Sequence, residues 1–151
     1  PARYRPTAGF EYTLSSPTRN GAAMTSPTGN QVSNPIVTAE RSAFVLRIKP
    51  AGPNVGQREA PIIDKDVKPL LAAAGGNLKA LVLDLSDVTF MSSMGLGTCI
   101  ALRNEADAVG AKTALCGLRP ELESLFKMMR IHKLYQIQKN KAALEKWLGK
   151  L

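Results

Sequence analysis

Ala80-Leu81-Val82-Leu83-Asp84-Leu85 runs directly into Ser86-Asp87-Val88-Thr89-Phe90-Met91-Ser92-Ser93-Met94-Gly95-Leu96-Gly97, and the reading of this stretch decides the fold. The opening run is almost continuously apolar, which marks a strand buried on both faces. From Met94 to Val109, Leu96, Ile100 and Val109 fall on one side while Arg103 and Glu105 lie elsewhere, and Gly110 follows. That is a helix with a glycine stop. Thr113-Ala114-Leu115-Cys116 then reads as a short strand ending at Gly117. Strand, helix and strand in that order imply a right-handed crossover between parallel strands.

The same logic extends in both directions. Downstream, Pro120 opens a helix with Leu122, Leu125, Phe126 and Met129 facing inward. Leu134–Gln138 alternates as a last strand, and Asn140 caps a final helix striped with Leu144, Trp147, Leu148 and Leu151. Upstream, Ile36–Ala39 and Ala43–Ile48, joined through Glu40-Arg41-Ser42, predict a hairpin stopped by Pro50, Gly52 and Pro53. Ile62, Ile63, Val67, Leu70, Leu71 and Ala74 recur at helical spacing, with Pro61 in the first turn and Gly75-Gly76-Asn77 at the end. Pro69 should kink or divide that helix. The expected architecture is an α/β domain: a mostly parallel or mixed sheet of about five strands, an antiparallel N-terminal hairpin and four helices.

Residues 1–33 are different in kind. Pro1, Pro6, Pro17 and Pro27, several Gly and Asn, and a near-repeat of Ser-Pro-Thr at 16–18 and 26–28 leave no sustained period of 2 or 3.6. Such a stretch does not offset about 1–2 kcal/mol of backbone entropy per residue. It is expected to be a flexible tail ahead of a domain spanning 34–151.

With 151 residues, 44% apolar and 21% charged, a single domain of ordinary size is expected. No segment is long and apolar enough for a membrane span, and no charged-then-apolar secretory pattern opens the chain, so a cytoplasmic protein is expected. The net charge of +8 is concentrated in Lys127–Leu151, where seven basic residues face one acid, Glu145. Those lysines interrupt apolar positions at helical spacing and read as solvated faces; nucleic-acid binding is not expected without interleaved aromatics. Cys99, Cys116 and His132 are too few for a disulfide scaffold or a zinc site. No metal or other cofactor is implied.

In open α/β sheets, ligands and partners meet the carboxyl ends of the strands. Here that place is the Asp84–Gly97 segment, where Ser92 or Ser93 stands at the helix N-cap and Gly95 and Gly97 permit close backbone approach. A phosphate on such a serine is tolerated by the helix N-terminus and puts nearly two negative charges on the rim. Asp84 is the nearest acid, suited either to bonding loop amides or to recognition, and Met94 beside Leu96 offers a soft apolar contact. Ser93 with His132 only half-matches a hydrolase, because Met91 replaces the glycine of a nucleophile elbow. Gly95-Leu96-Gly97-Thr98 lacks the lysine of a phosphate-binding loop.

The run LVLDLSDVTFMSSMGLG at 81–97, continued by Thr113–Cys116, Leu118-Arg119-Pro120-Glu121, Leu125-Phe126 and Ile131-His132-Lys133-Leu134, resembles the STAS domain of bacterial anti-sigma factor antagonists. The likeness covers roughly Ile36–Leu151. It implies a non-enzymatic β/α module that binds a serine-kinase anti-sigma factor and is released by phosphorylation of one serine. Placed on this chain, that phosphoacceptor is Ser93, with Ser92 the second candidate. The partner-binding surface implied comprises Asp84, Asp87, Thr89, Met91, Ser92, Ser93, Met94, Gly95 and Leu96, on a monomer or weak dimer. Two departures stand out: Ser92 replaces the family's Asp before the acceptor, and Met94 its Ser or Thr after it. The Gly52-Pro53-Asn54-Val55 loop also lacks the family's carboxylate. Those departures leave open a non-switching scaffold or transporter-associated subunit, or a small-ligand or nucleotide binder.

Overall fold

The computed structural model describes residues 30–151. Most of the 1–33 tail, including both Ser-Pro-Thr steps, lies outside the described residues. Its last three residues do not behave as tail: Gln31–Ser33 form β1, paired antiparallel with β2 (Val37–Ser42). Val32 explains this, because it is the inward residue of the strand and only 6% exposed.

The remaining elements follow in chain order. They are β3 (Val45–Pro50), β4 (Asn54–Val55), α1 (Glu59–Ala74), β5 (Ala80–Asp84), β6 (Phe90–Met91), α2 (Ser93–Ala108), β7 (Lys112–Cys116), α3 (Pro120–Met128), β8 (Gln136–Gln138) and α4 (Lys141–Gly149). The main sheet has the order β1-β2-β3-β5-β7-β8, and β4 and β6 form a separate parallel pair. Pairing is antiparallel from β1 to β3 and parallel from β3 to β8. The expected mixed α/β sheet with its antiparallel start and four helices is present, and β1 brings the main sheet to six strands.

The β5 reading follows from two cores. Leu81 and Leu83 point into the larger one with Ile63, Val67, Leu102 and Phe126 from α1, α2 and α3. Ala80 and Val82 point the other way, beneath Leu144 and Leu148 of α4. Both faces are dry, so alternation disappears.

Local differences from the sequence reading each have a cause. The hairpin turns at Ala43-Phe44, not at 40–42, with Ser42 opposite Val45 and Ala43 at φ 54. Ile48 and Leu46 must face the larger core, and that demand sets the register. Pro69 leaves α1 undivided. It sits on the exposed side, so the carbonyl it frees, that of Lys65, is also on the wet face. Met129 lies past the end of α3 and is 53% exposed, while Leu122 and Phe126 are fully inward and Leu125 packs half-buried against the core. Asn140 caps α4 as expected, its Oδ1 accepting from Ala143 N at 2.8 Å.

Candidate functional site

The Asp84–Ser93 segment leaves β5 at the carboxyl end of the parallel strands and is tied down along its length. Asp84 Oδ1 accepts from Ser86 N at 2.9 Å, and Arg119 Nε donates to the Ser86 carbonyl at 3.0 Å. Thr89 N and Phe90 N donate to the Pro53 carbonyl at 2.8 and 3.2 Å, and Ser92 N donates to the Val55 carbonyl at 3.0 Å. The β4–β6 pair therefore clamps the segment onto the loop that follows β3. Two glycines permit this approach. A Cβ on Gly52, whose φ is +65, would collide with the Asp87 carbonyl, and one on Gly95 would lie 2.5 Å from the Val55 carbonyl oxygen.

The serines divide the work. Ser92 is the N-cap of α2, in extended geometry, and its Oγ accepts from Gly95 N at 3.3 Å. Ser93 is the first residue of the helix and is exposed, and its hydroxyl has no hydrogen-bond partner among the described residues. Ser92→Ala should therefore cost about 1 kcal/mol of stability. Ser93→Ala should change it by less than about 0.5 kcal/mol. Urea unfolding of both variants checks the pair, and equal losses would contradict the division.

Around Ser93, Met94 is 46% and Phe90 55% exposed. Thr89 and Asp87 are exposed too, with Asp87 3.7 Å from Lys49 Nζ in a solvated ion pair. Two residues expected on the contact surface turn out to be packing. Met91 is 2% exposed, its sulfur 3.7 Å from Cys99 Sγ, and Leu96 is 6% exposed. β6 alternates, so Met91 goes in where Phe90 goes out. Leu96 lies one helical turn before Cys99 on the same inward face of α2. Gly95 is buried against Val55, and Asp84 is spent on the Ser86 amide. Phe90, absent from the residues singled out on the rim, is the exposed member of β6; the two-residue alternation with Met91 is the signal that points to it.

Neither sequence neighbour of Ser93 is a carboxylate. The exposed side chains nearest it in the chain are the apolar Phe90 and Met94, with Thr89 and Asp87 farther along the rim. Burial pushes the Cys99 and Cys116 thiols up to about 12, helped at Cys116 by the nearby Asp84 charge, so both behave as small hydrophobes. His132 precedes β8 at the amino end of the parallel strands, the opposite end of the sheet from Ser93, so the half-matched serine–histidine pair is not assembled. Among the described residues, no three His, Cys, Asp or Glu side chains group as metal ligands. A shallow recess of about 270 Å³ is lined by Leu118, Glu123, Ile137, Gln138 and Lys139, and includes none of the rim residues.

A family model for the STAS domain matches residues 32–144. The chain belongs to the STAS-domain family. Solved structures share the fold of this STAS domain at low identity. An anti-sigma-factor antagonist (STAS) domain protein from Planctomyces limnophilus superposes with a TM-score of 0.65 at 18% identity, over 77% of this chain and 99% of that one. The Bacillus cell fate determinant SpoIIAA in its phosphorylated form gives 0.57 at 16%, over 74% and 98%. A murine anion transporter of the solute carrier 26 family, in its inward-facing state, gives 0.64 at 14%, over 74% of this chain but 19% of that one. Among the described residues no helix is long and apolar enough to cross a membrane.

Proposed function

We propose that this STAS domain is a regulatory protein-interaction module without catalytic activity, whose Asp87–Gly97 rim binds a serine-kinase anti-sigma factor or a similar regulatory protein. Phosphorylation at Ser93 switches that binding. The observation that carries the reading is the exposed Ser93 hydroxyl at the first position of α2, next to a Ser92 already occupied as the cap. The helix N-terminus accommodates a phosphate there without disturbing the fold. In the complex the same phosphate shares the rim with exposed Phe90 and Met94, and a partner covering those side chains must strip its water. The fold shared with anti-sigma factor antagonists, one of them solved in a phosphorylated form, supports the reading.

Incubation with the partner kinase and ATP, followed by intact-mass measurement, tests it. Wild type should gain one phosphate and Ser93→Ala none. An unmodified wild type, or equal modification of both proteins, overturns the assignment. With phosphate on Ser93, partner affinity should fall about a hundredfold or more, a change of about 2.7 kcal/mol.

A second reading is favoured by the missing carboxylate beside Ser93 and by the fold shared with the transporter segment. In it the rim is a constitutive scaffold surface, or part of a transporter-associated subunit, and Ser93→Asp leaves affinity unchanged. Affinity capture from the native cell separates the two: a serine kinase supports the first, a membrane-transport subunit the second.

A further inference from the structure

The end of the sheet opposite the Ser93 rim carries a different surface. Strands β3, β5, β7 and β8 run parallel, so their first residues and the turns before them share one end. Hydrogen bonds stitch those turns together. Lys79 N donates to the Phe44 carbonyl at 2.8 Å, Lys112 N to the Lys79 carbonyl at 2.9 Å, and Thr113 Oγ1 to the Leu134 carbonyl at 3.1 Å. Lys79, Lys112 and Lys133 are all exposed along that line. The turn leading into β8 adds Lys127 and Arg130, also exposed, and between these two stand Met128 and Met129 at 73% and 53% exposure.

Cations at the carboxyl end of α3 complement the helix dipole, which accounts for Lys127 and Arg130. It does not account for two methionines held in water between them. Charge matching already takes up the nearby acids, with Asp107 on Arg103 at 3.9 Å and Glu123 on Lys127 at 3.4 Å. Arg130 and Lys133 make no ion pair among the described residues. An exposed apolar pair flanked by Lys127 and Arg130, with further exposed cations at the same end of the sheet, matches one environment on both counts, a bilayer with anionic headgroups above acyl chains. A nucleic acid offers the phosphates but no apolar layer for the methionines.

We infer that the Lys127–Lys133 turn docks this domain peripherally on anionic lipid, with Met128 and Met129 entering the headgroup–acyl boundary and Arg130, Lys133, Lys112 and Lys79 facing the phosphates. The docked domain turns its Ser93 rim away from the membrane, toward soluble partners. The surface is separate from that rim, so it stands whether or not Ser93 is modified.

Co-sedimentation of the full chain with vesicles tests this, using phosphatidylcholine alone and phosphatidylcholine mixed with phosphatidylglycerol, at low and high salt. Binding is expected only with phosphatidylglycerol and should weaken with salt. Arg130→Glu with Lys133→Glu should reduce it about tenfold or more. Met128→Ser with Met129→Ser should reduce it about fivefold while leaving the unfolding midpoint unchanged, because both side chains are exposed. No sedimentation with anionic vesicles overturns the inference, and so does equal binding to phosphatidylcholine. Binding that ignores the methionine pair also overturns it. If duplex DNA or an acidic polypeptide binds with the same dependence on those methionines, the occupant is not lipid and the inference fails.

Discussion

Phe126→Ala should lower stability by about 3–5 kcal/mol, a large share of the about 5–15 kcal/mol that holds a domain of this size. Phe126 is fully buried and among the largest such side chains. α3 is only nine residues long and buries just two of its own side chains, Leu122 and Phe126. Removing one of the two leaves a cavity in the larger core, on whose sheet side Leu81, Leu83 and Leu115 lie, and the sheet backbone does not close it. The loss should therefore sit at the upper end for a large-to-small change. It should also loosen the turn carrying Met128–Lys133, which α3 and Ile131 hold in place. The midpoint and slope of urea unfolding measure the first effect, and amide exchange across 120–135 the second. A loss under about 1.5 kcal/mol would mean that α3 contributes little to the core.

Gly52→Ala should cost about 2–5 kcal/mol and should damage the rim as well as the fold. Left-handed backbone at φ +65 is unfavourable for alanine by about 1–2 kcal/mol. The new Cβ also meets the Asp87 carbonyl, which is backbone and has no rotamer to retreat into. Relief requires the 85–90 loop to move, adding about 1–3 kcal/mol. That movement pulls Thr89 and Phe90 from the Pro53 carbonyl, so the β4–β6 clamp opens and Ser93 loses its framed position. Partner affinity should fall together with the unfolding midpoint. Unchanged affinity in a destabilised variant would show that the rim does not depend on this clamp.

The strand at Ala80–Asp84 and the helix after it were legible because burial on both faces, and then on one, leaves distinct periods in the chain. A serine cap at 92 or 93 and Gly110 at the stop, φ +83, were legible for local reasons too, and the fold gives the cap to Ser92. Other features were not. Tyr135 reads as one more residue of an alternating strand. In the fold it is 5% exposed and donates its hydroxyl to the Cys99 carbonyl at 2.6 Å, fastening β8 to the middle of α2. Nothing near either residue in sequence announces that bond. The spacing of Met129 from Phe126 continues a helical stripe and points it inward. The helix ends at Met128, however, and Arg130 takes a left-handed turn at φ 62.

Short-range chemistry thus sufficed for five of the strands, the four helices and their order, while β1, β4 and β6 left no sustained local pattern and the family was carried by the motif resemblance at 81–97. Periodicity, capping and glycine placement act over a few residues and leave their mark there. Which rim side chains stay in water was settled by packing between distant segments. Met91 and Leu96 go inward because Cys99 and the sheet lie beneath them, while Phe90, Ser93 and Met94 remain outside because nothing covers them among the described residues. The basic pole arises in the same way. Lys79, Lys112 and Lys133 are far apart in the chain and become neighbours only when parallel strands bring their starts to one end of the sheet.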